Sequence, residues 1–230
     1  MQKTEPAITA LRTRIKICGI TEVEHARRAV EAGVDALGFI FVRQSPRNVE
    51  PERVRQIVAT LPPFVDAVGV FVDEAAEVVE KIADFCALTM VQLHGSETPQ
   101  YCAKMSRRVL KSFRLGAALP EPGDDFYALY AGVVQGFLLD TYHKKKAGGT
   151  GQPFDWSLVE RYRPPGPVIL AGGISPANVA QAIERLHPFA VDVNSGVETA
   201  PGKKSGEAIL RLVAAVRAAD QKRTAGQGIP

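Results

Sequence analysis

The chain has 230 residues, 46% hydrophobic and 23% charged, with a formal net charge of +3. These are the proportions of an ordinary folded domain and exclude disordered and fibrous classes. A positive excess this small, interspersed with acidic residues, gives no phosphate-backbone footprint, so no nucleic-acid partner is expected.

No apolar run approaches the ~18–20 residues of a membrane span. The opening stretch, MQKTEPAITALRTR, lacks the apolar core of a secretory leader. These features predict a cytoplasmic location and no membrane partner. Cys18, Cys86 and Cys102 are odd in number and match no metal or disulfide spacing. Cys86 and Cys102 fall on amphipathic stretches as small buried hydrophobes.

In chain order, a first strand over 14–18 ends at Cys18 and breaks at Gly19. Thr21 with Glu24 three residues on forms a capping box for a helix whose apolar face carries Val23, Ala26 and Val30, and Gly33 stops it. A second strand over 36–41 leads to Arg47. A third over 66–72 precedes a helix with Val78, Val79, Ile82 and Phe85 on one face. Strands over 89–93 and 109–114 end at His94 and Arg114, and one over 136–140 ends at Asp140. A seventh over 167–171 runs into Gly172 and Gly173, with Ser175 as N-cap and Pro176 opening the next helix. The eighth, over 189–194, runs into Asn194, Ser195 and Gly196. A closing helix carries Ile209, Leu212, Val213 and Val216.

Several strands are continuous apolar runs, the pattern of strands covered on both faces by helices. Strands alternating with helices require parallel pairing with right-handed crossovers. An open nucleotide-binding sheet should show G-x-G-x-x-G after its first strand, where this chain reads CGIT. Eight units in 230 residues therefore predict an α/β fold, a single-domain (β/α)8 TIM barrel over 14–218, with 1–13 and 219–230 as flexible ends.

In such a barrel the active site lies at the carboxyl ends of the strands. The glycine turns AGGIS and NSGVE follow the last two strands, where backbone N–H groups can hold a phosphate, and AGGTG at 147–151 offers a third wall. Asp140 closes an apolar run. Apolar neighbours raise a carboxyl pKa and suit it to general acid work, although the basic run at 143–146 supplies ion-pair partners. Cys18 stands before a helix start, where a positive helix end and nearby cations lower a thiol pKa. His94 is the one strand-end histidine. No paired His or Cys ligands suggest zinc, so no metal is expected.

With these residues in place, the chain resembles the phosphoribosylanthranilate isomerase family of tryptophan biosynthesis. The likeness runs in order through KICGIT, DALGFIFV with SPR, VGVFV, VQLHG, LLDT, GGTGQPFDW, LAGGISPANV and VDVNSGVETAPGKK. It implies a cofactor-free enzyme acting on a small phosphorylated substrate, as monomer or homodimer. It further implies that Asp140 is the general acid that opens the furanose ring and Cys18 the base that removes the C2 proton. Arg47 would hold the anthranilate carboxylate, and Gly172, Gly173, Ser195 and Gly196 would grip the phosphate. Relatives usually read VDVSSGVE and PGKKD where this chain has Asn194 and Ser205. The histidine-pathway isomerases of the same barrel use two aspartates, and Cys18 argues against that alternative.

Overall fold

The computed structural model describes residues 12–115, 126–140, 156–161 and 163–226. Eight parallel strands form a closed barrel in sequence order: β1 (Arg14–Ile17), β2 (Ala36–Ile40), β3 (Asp66–Phe71), β4 (Met90–Leu93), β5 (Arg108–Arg114), β6 (Gly136–Asp140), β7 (Val168–Ala171) and β8 (Ala190–Val193). Closure is made by β1 on β8, with Arg14 opposite Ala190 and Ile17 opposite Val193. The helices are α1 (Val23–Glu31), α2 (Pro51–Val58), α3 (Ala76–Phe85), α4 (Pro99–Cys102), α5 (Ser157–Arg161), α6 (Val179–Leu186) and α7 (Gly206–Gly226). A small antiparallel pair, β9 (Glu198–Ala200) and β10 (Lys203–Lys204), follows β8. Among the described residues no helix is long and apolar enough to cross a membrane.

Alternation along each strand sorts side chains to the two faces of the barrel wall. Ile15, Ile17, Leu37, Phe39, Leu139 and Val191 belong to the large outer core, against Ala26, Val54, Val79, Ile183 and the Ile209, Leu212 and Val216 stripe of α7. Leu110, Leu138, Ile169 and Ala190 form a separate inner plug, and Cys18, Ile40 and Val70 a second. The same inward parity carries Lys16, Gln92, Ser112 and Asp192, all buried.

Local details depart from the sequence pattern in four places. Thr21 does not cap α1, because its hydroxyl donates to the Gly202 carbonyl, and the N-cap is Glu22, whose side chain makes no capping bond. Ser175 does not start α6 directly: Asn178 accepts from the Ser175 N–H, and the helix begins only at Val179. On α3, Val79 is buried while Val78 and Phe85 are exposed, Phe85 lying under the Arg55 guanidinium at 5.1 Å. Finally, α7 continues to Gly226 through the segment expected to be a flexible end, and its buried Asp220 accepts from both the N–H and the hydroxyl of Thr13, each at 2.8 Å. Ser205 does cap this helix, accepting from the Ala208 N–H.

Candidate active site

The carboxyl ends of the strands surround a cavity of about 380 Å³ lined by Cys18, Arg47, His94, Asp140, Gly172–Gly173 and Ser195 among others. Positions singled out in the sequence, drawn from six strands, β1, β2, β4, β6, β7 and β8, and their loops, thus meet in one hollow. Arg114 does not join them, since it is exposed at the end of β5 and absent from the lining. The segments at 143–146 and 147–151 lie outside the described residues.

Gly172 and Gly173 have φ of +82° and +68°, a region that side chains other than glycine rarely adopt, so the turn after β7 needs both. Gly196 is not among the lining residues. A Cβ there would sit 2.0 Å from the Ile174 carbonyl oxygen, so its contribution is to let the β7 and β8 loops touch backbone to backbone.

Arg47 is fixed by Glu198, whose carboxylate accepts from Nε at 2.9 Å and Nη2 at 2.6 Å. Lys204 donates to the same carboxylate at 2.7 Å and to Asn194 Oδ1 at 2.9 Å, so the asparagine side chain is held in this network. Burial pushes the Glu198 carboxyl up, but the hydrogen bonds from Arg47 and Lys204 prevail and hold it below its usual value. Burial likewise brings the Lys204 amine below its usual value despite Glu198.

Asp140 Oδ2 lies 3.3 Å from His94 Nε2, and His94 Nδ1 lies 3.1 Å from the Gln92 amide nitrogen. An amide donor facing Nδ1 leaves the imidazole proton on Nε2, pointing at the carboxyl. The loop carrying His94 is pinned from below by the buried pair Lys111 with Glu97 at 3.1 Å, and Glu97 also accepts from the Asp73 and Gly95 N–H groups.

Cys18 is 5% exposed. Burial pushes its thiol above the ordinary value, outweighing the Lys16 and Lys204 cations that pull it down. The helix that follows, α1, begins at Val23 after its N-cap Glu22. Beneath the thiol, Lys16 donates to Asp192 Oδ2 at 2.8 Å. Sequence reasoning missed Lys16, Gln92, Asp192, Glu198 and Lys204. The signal for two of them was present: a charged residue at an inward position of an otherwise apolar strand, as in RIKI and AVDV, is rarely buried without a partner. Among the described residues no group of three or more His, Cys, Asp and Glu is arranged to hold a metal ion.

A closed parallel barrel whose strand ends bring a carboxyl, a thiol and an arginine to one hollow defines a (β/α)8-barrel enzyme. Residues 15–215 match the model of the N-(5'-phosphoribosyl)anthranilate isomerase family, and the chain belongs to that family. The chain is 48% identical over 202 residues to the N-(5'-phosphoribosyl)anthranilate isomerase of Citrifermentans bemidjiense, covering 88% of this chain and 96% of that one. It is similar to the crystal structure of the Thermotoga maritima phosphoribosyl anthranilate isomerase, with TM-score 0.78, 41% identity, and coverage of 90% of this chain and 99% of that one. A further structure of this kind, with TM-score 0.75, 40% identity and the same coverages, is a complex with reduced 1-(o-carboxyphenylamino)-1-deoxyribulose 5-phosphate.

Proposed function

We infer that the protein converts N-(5'-phosphoribosyl)anthranilate to 1-(2-carboxyphenylamino)-1-deoxyribulose 5-phosphate, the aldose–ketose isomerisation of tryptophan biosynthesis, in the cytoplasm. The observation that carries this reading is the meeting of Cys18 and Asp140 across one cavity in a chain of this family. The relative crystallised with the reduced product analogue supports a ligand of the same class here.

In this reading Asp140 gives its proton to the furanose ring oxygen as the C1'–O bond breaks, leaving an iminium at C1'. The Nε2–H of His94 holds one carboxyl oxygen, so that the other can face the ring. The Cys18 thiolate then takes the C2' proton, and the electron pair moves into the C1'–C2' bond to give an enolamine. Ketonisation adds a proton at C1' and removes one from the C2' hydroxyl. The enzyme is left with a thiol and a carboxylate, and one proton passing through solvent from sulfur to Asp140 resets it. Arg47, held in plane by Glu198, presents a guanidinium to the anthranilate carboxylate. The Gly172–Gly173 turn and Ser195 offer backbone and hydroxyl donors to the phosphate.

The test is loss of anthranilate fluorescence when the protein meets freshly generated phosphoribosylanthranilate, with Cys18→Ser run in parallel and no metal added. Rapid loss with wild type and slow loss with the variant is expected. Binding without turnover in the wild type would replace the enzyme with a ligand-binding barrel, and equal rates in both would remove Cys18 as the base.

A further inference from the structure

A thiol becomes a base only as a thiolate, and burial opposes that charge. Cys18 is enclosed by apolar Ile40, Val42 and Val70 from the β2 and β3 side. Lys16 lies two residues earlier, on the inner face of β1, and is the cation that most favours the thiolate. Lys16 is buried, its ammonium donates to Asp192 at 2.8 Å, and the neighbouring thiol favours its charged form.

We propose that Lys16, anchored by Asp192, is the positioning residue that keeps Cys18 available as a thiolate inside the barrel. The proposal rests on the isomerase reading for its catalytic meaning but not for its chemistry. Gly38 supplies an independent observation. A Cβ at Gly38 of β2 would lie 2.8 Å from Cys18 Sγ and 2.9 Å from Lys16 Nζ. The glycine therefore opens a space that sulfur and ammonium both border. Asp192 holds Lys16 with Oδ2 alone, while its Oδ1 is buried with no hydrogen-bond partner. A purely structural ion pair would gain by satisfying both oxygens. Here the ammonium bonds one oxygen of an anion on β8 and its charge also favours the thiolate beside it.

The charged groups facing the thiol act in known directions. Lys16 from β1 and Lys204 from β10 favour the thiolate, and Asp192 from β8 opposes it. Across the cavity stand His94, Asp140 and the Arg47–Glu198 pair. Of these, Lys16 is the strongest favourable influence, followed by the opposition of Asp192 and then the help of Lys204. Removing Lys16 and Asp192 together should therefore still disfavour the thiolate, though by less than removing Lys16 alone. The thiol gives its first proton to solvent, and Lys16 stays an ammonium throughout.

The experiment is the pH dependence of Cys18 alkylation by iodoacetamide, read by peptide mass spectrometry so that Cys86 and Cys102 do not contribute. It compares wild type, Lys16→Met, and the double variant Lys16→Met/Asp192→Asn. The double variant leaves no lone buried charge and guards against a single variant that fails to fold. The midpoint should rise by about one pH unit in Lys16→Met, slowing labelling at neutral pH roughly 10-fold, with a smaller rise in the double variant. The alkaline-directed rise of kcat should shift by the same amount in the single variant. An unmoved alkylation midpoint in a folded double variant overturns the proposal. Because labelling needs no substrate, a wild type that labels as expected but does not isomerise would sink the reaction and leave the role of Lys16 standing.

Discussion

At the amino-terminal rim of the barrel, Asp35 accepts from Arg12, Arg14 and the Ile15 N–H, and Asp66 accepts from Arg108 and Thr89. At the carboxyl-terminal mouth, by contrast, Cys18 is buried, and just below it Asp192 Oδ1 and Gln92 Oε1 lack hydrogen-bond partners. The lower end also has the larger hollow, about 600 Å³ against about 380 Å³ above, with Phe64, Val65, Met90 and Phe189 on its walls. Volume therefore does not locate the chemistry. What separates the ends is that the Asp35 and Asp66 pairs below stay close to water, while Lys16, Asp192 and Cys18 above are desolvated.

The contrast predicts that substitutions at the mouth change turnover with little change in stability, and substitutions at the lower rim do the reverse. The largest effect should come from Asp140→Asn, which removes the acid but keeps the shape. A fall in kcat of about 10²–10⁴-fold, with the thermal unfolding midpoint almost unchanged, is expected from steady-state kinetics and calorimetry. Near-normal turnover would remove Asp140 from its role. Next is Asp220→Ala, which takes the acceptor from two buried donors of Thr13. Chemical denaturation should show a loss of about 2–4 kcal/mol, while kcat per folded molecule stays at the wild-type value.

Arg47→Lys comes third, because a point charge cannot reproduce the planar contact with both Glu198 and a substrate carboxylate. KM should rise roughly 10-fold with a small change in kcat, and an equal fall in kcat would place the guanidinium in the chemical step instead. The smallest effect is at Asp35. Burial pushes this carboxyl up, yet Arg12, the Ile15 N–H and Arg14 together hold it below its ordinary value. Its contribution is thus present above about pH 4 and lost as pH falls through the lower folded value. Being partly solvated, it is worth about 1 kcal/mol or less. Asp35→Asn should flatten the acid limb of a stability–pH curve by that amount, and an unaltered limb would show that the rim pair is neutral.

The order and approximate limits of all eight strands were legible because buried parallel strands leave continuous apolar runs. Cys18, Asp140 and the paired glycines were legible because they punctuate those runs. Helix starts were less so: Thr21 had a better acceptor across the fold in Gly202, and Asn178 rather than Ser175 organised the entry to α6. The environment of the thiol was the main loss. A sequence displays the helix that follows Cys18 along the chain, whereas the burial of its sulfur and the charges of Lys16 beneath it and Asp192 on a strand 174 positions later arise only in the fold. Glu198 with Lys204 was hidden for the same reason, since its partner Arg47 lies 151 residues away.

The clasp between Thr13 and Asp220 bears on how the polypeptide could be rewired. Two residues 207 positions apart are one hydrogen bond from each other, immediately before the first strand and on the last helix. Topologically the chain is then nearly a ring, and the site of the break is a matter of connectivity more than of architecture. A short peptide bridging that gap, with new ends cut in a lower-rim turn such as the one between α2 and β3, would give a circular permutant whose catalytic mouth is built from the same eight strand ends.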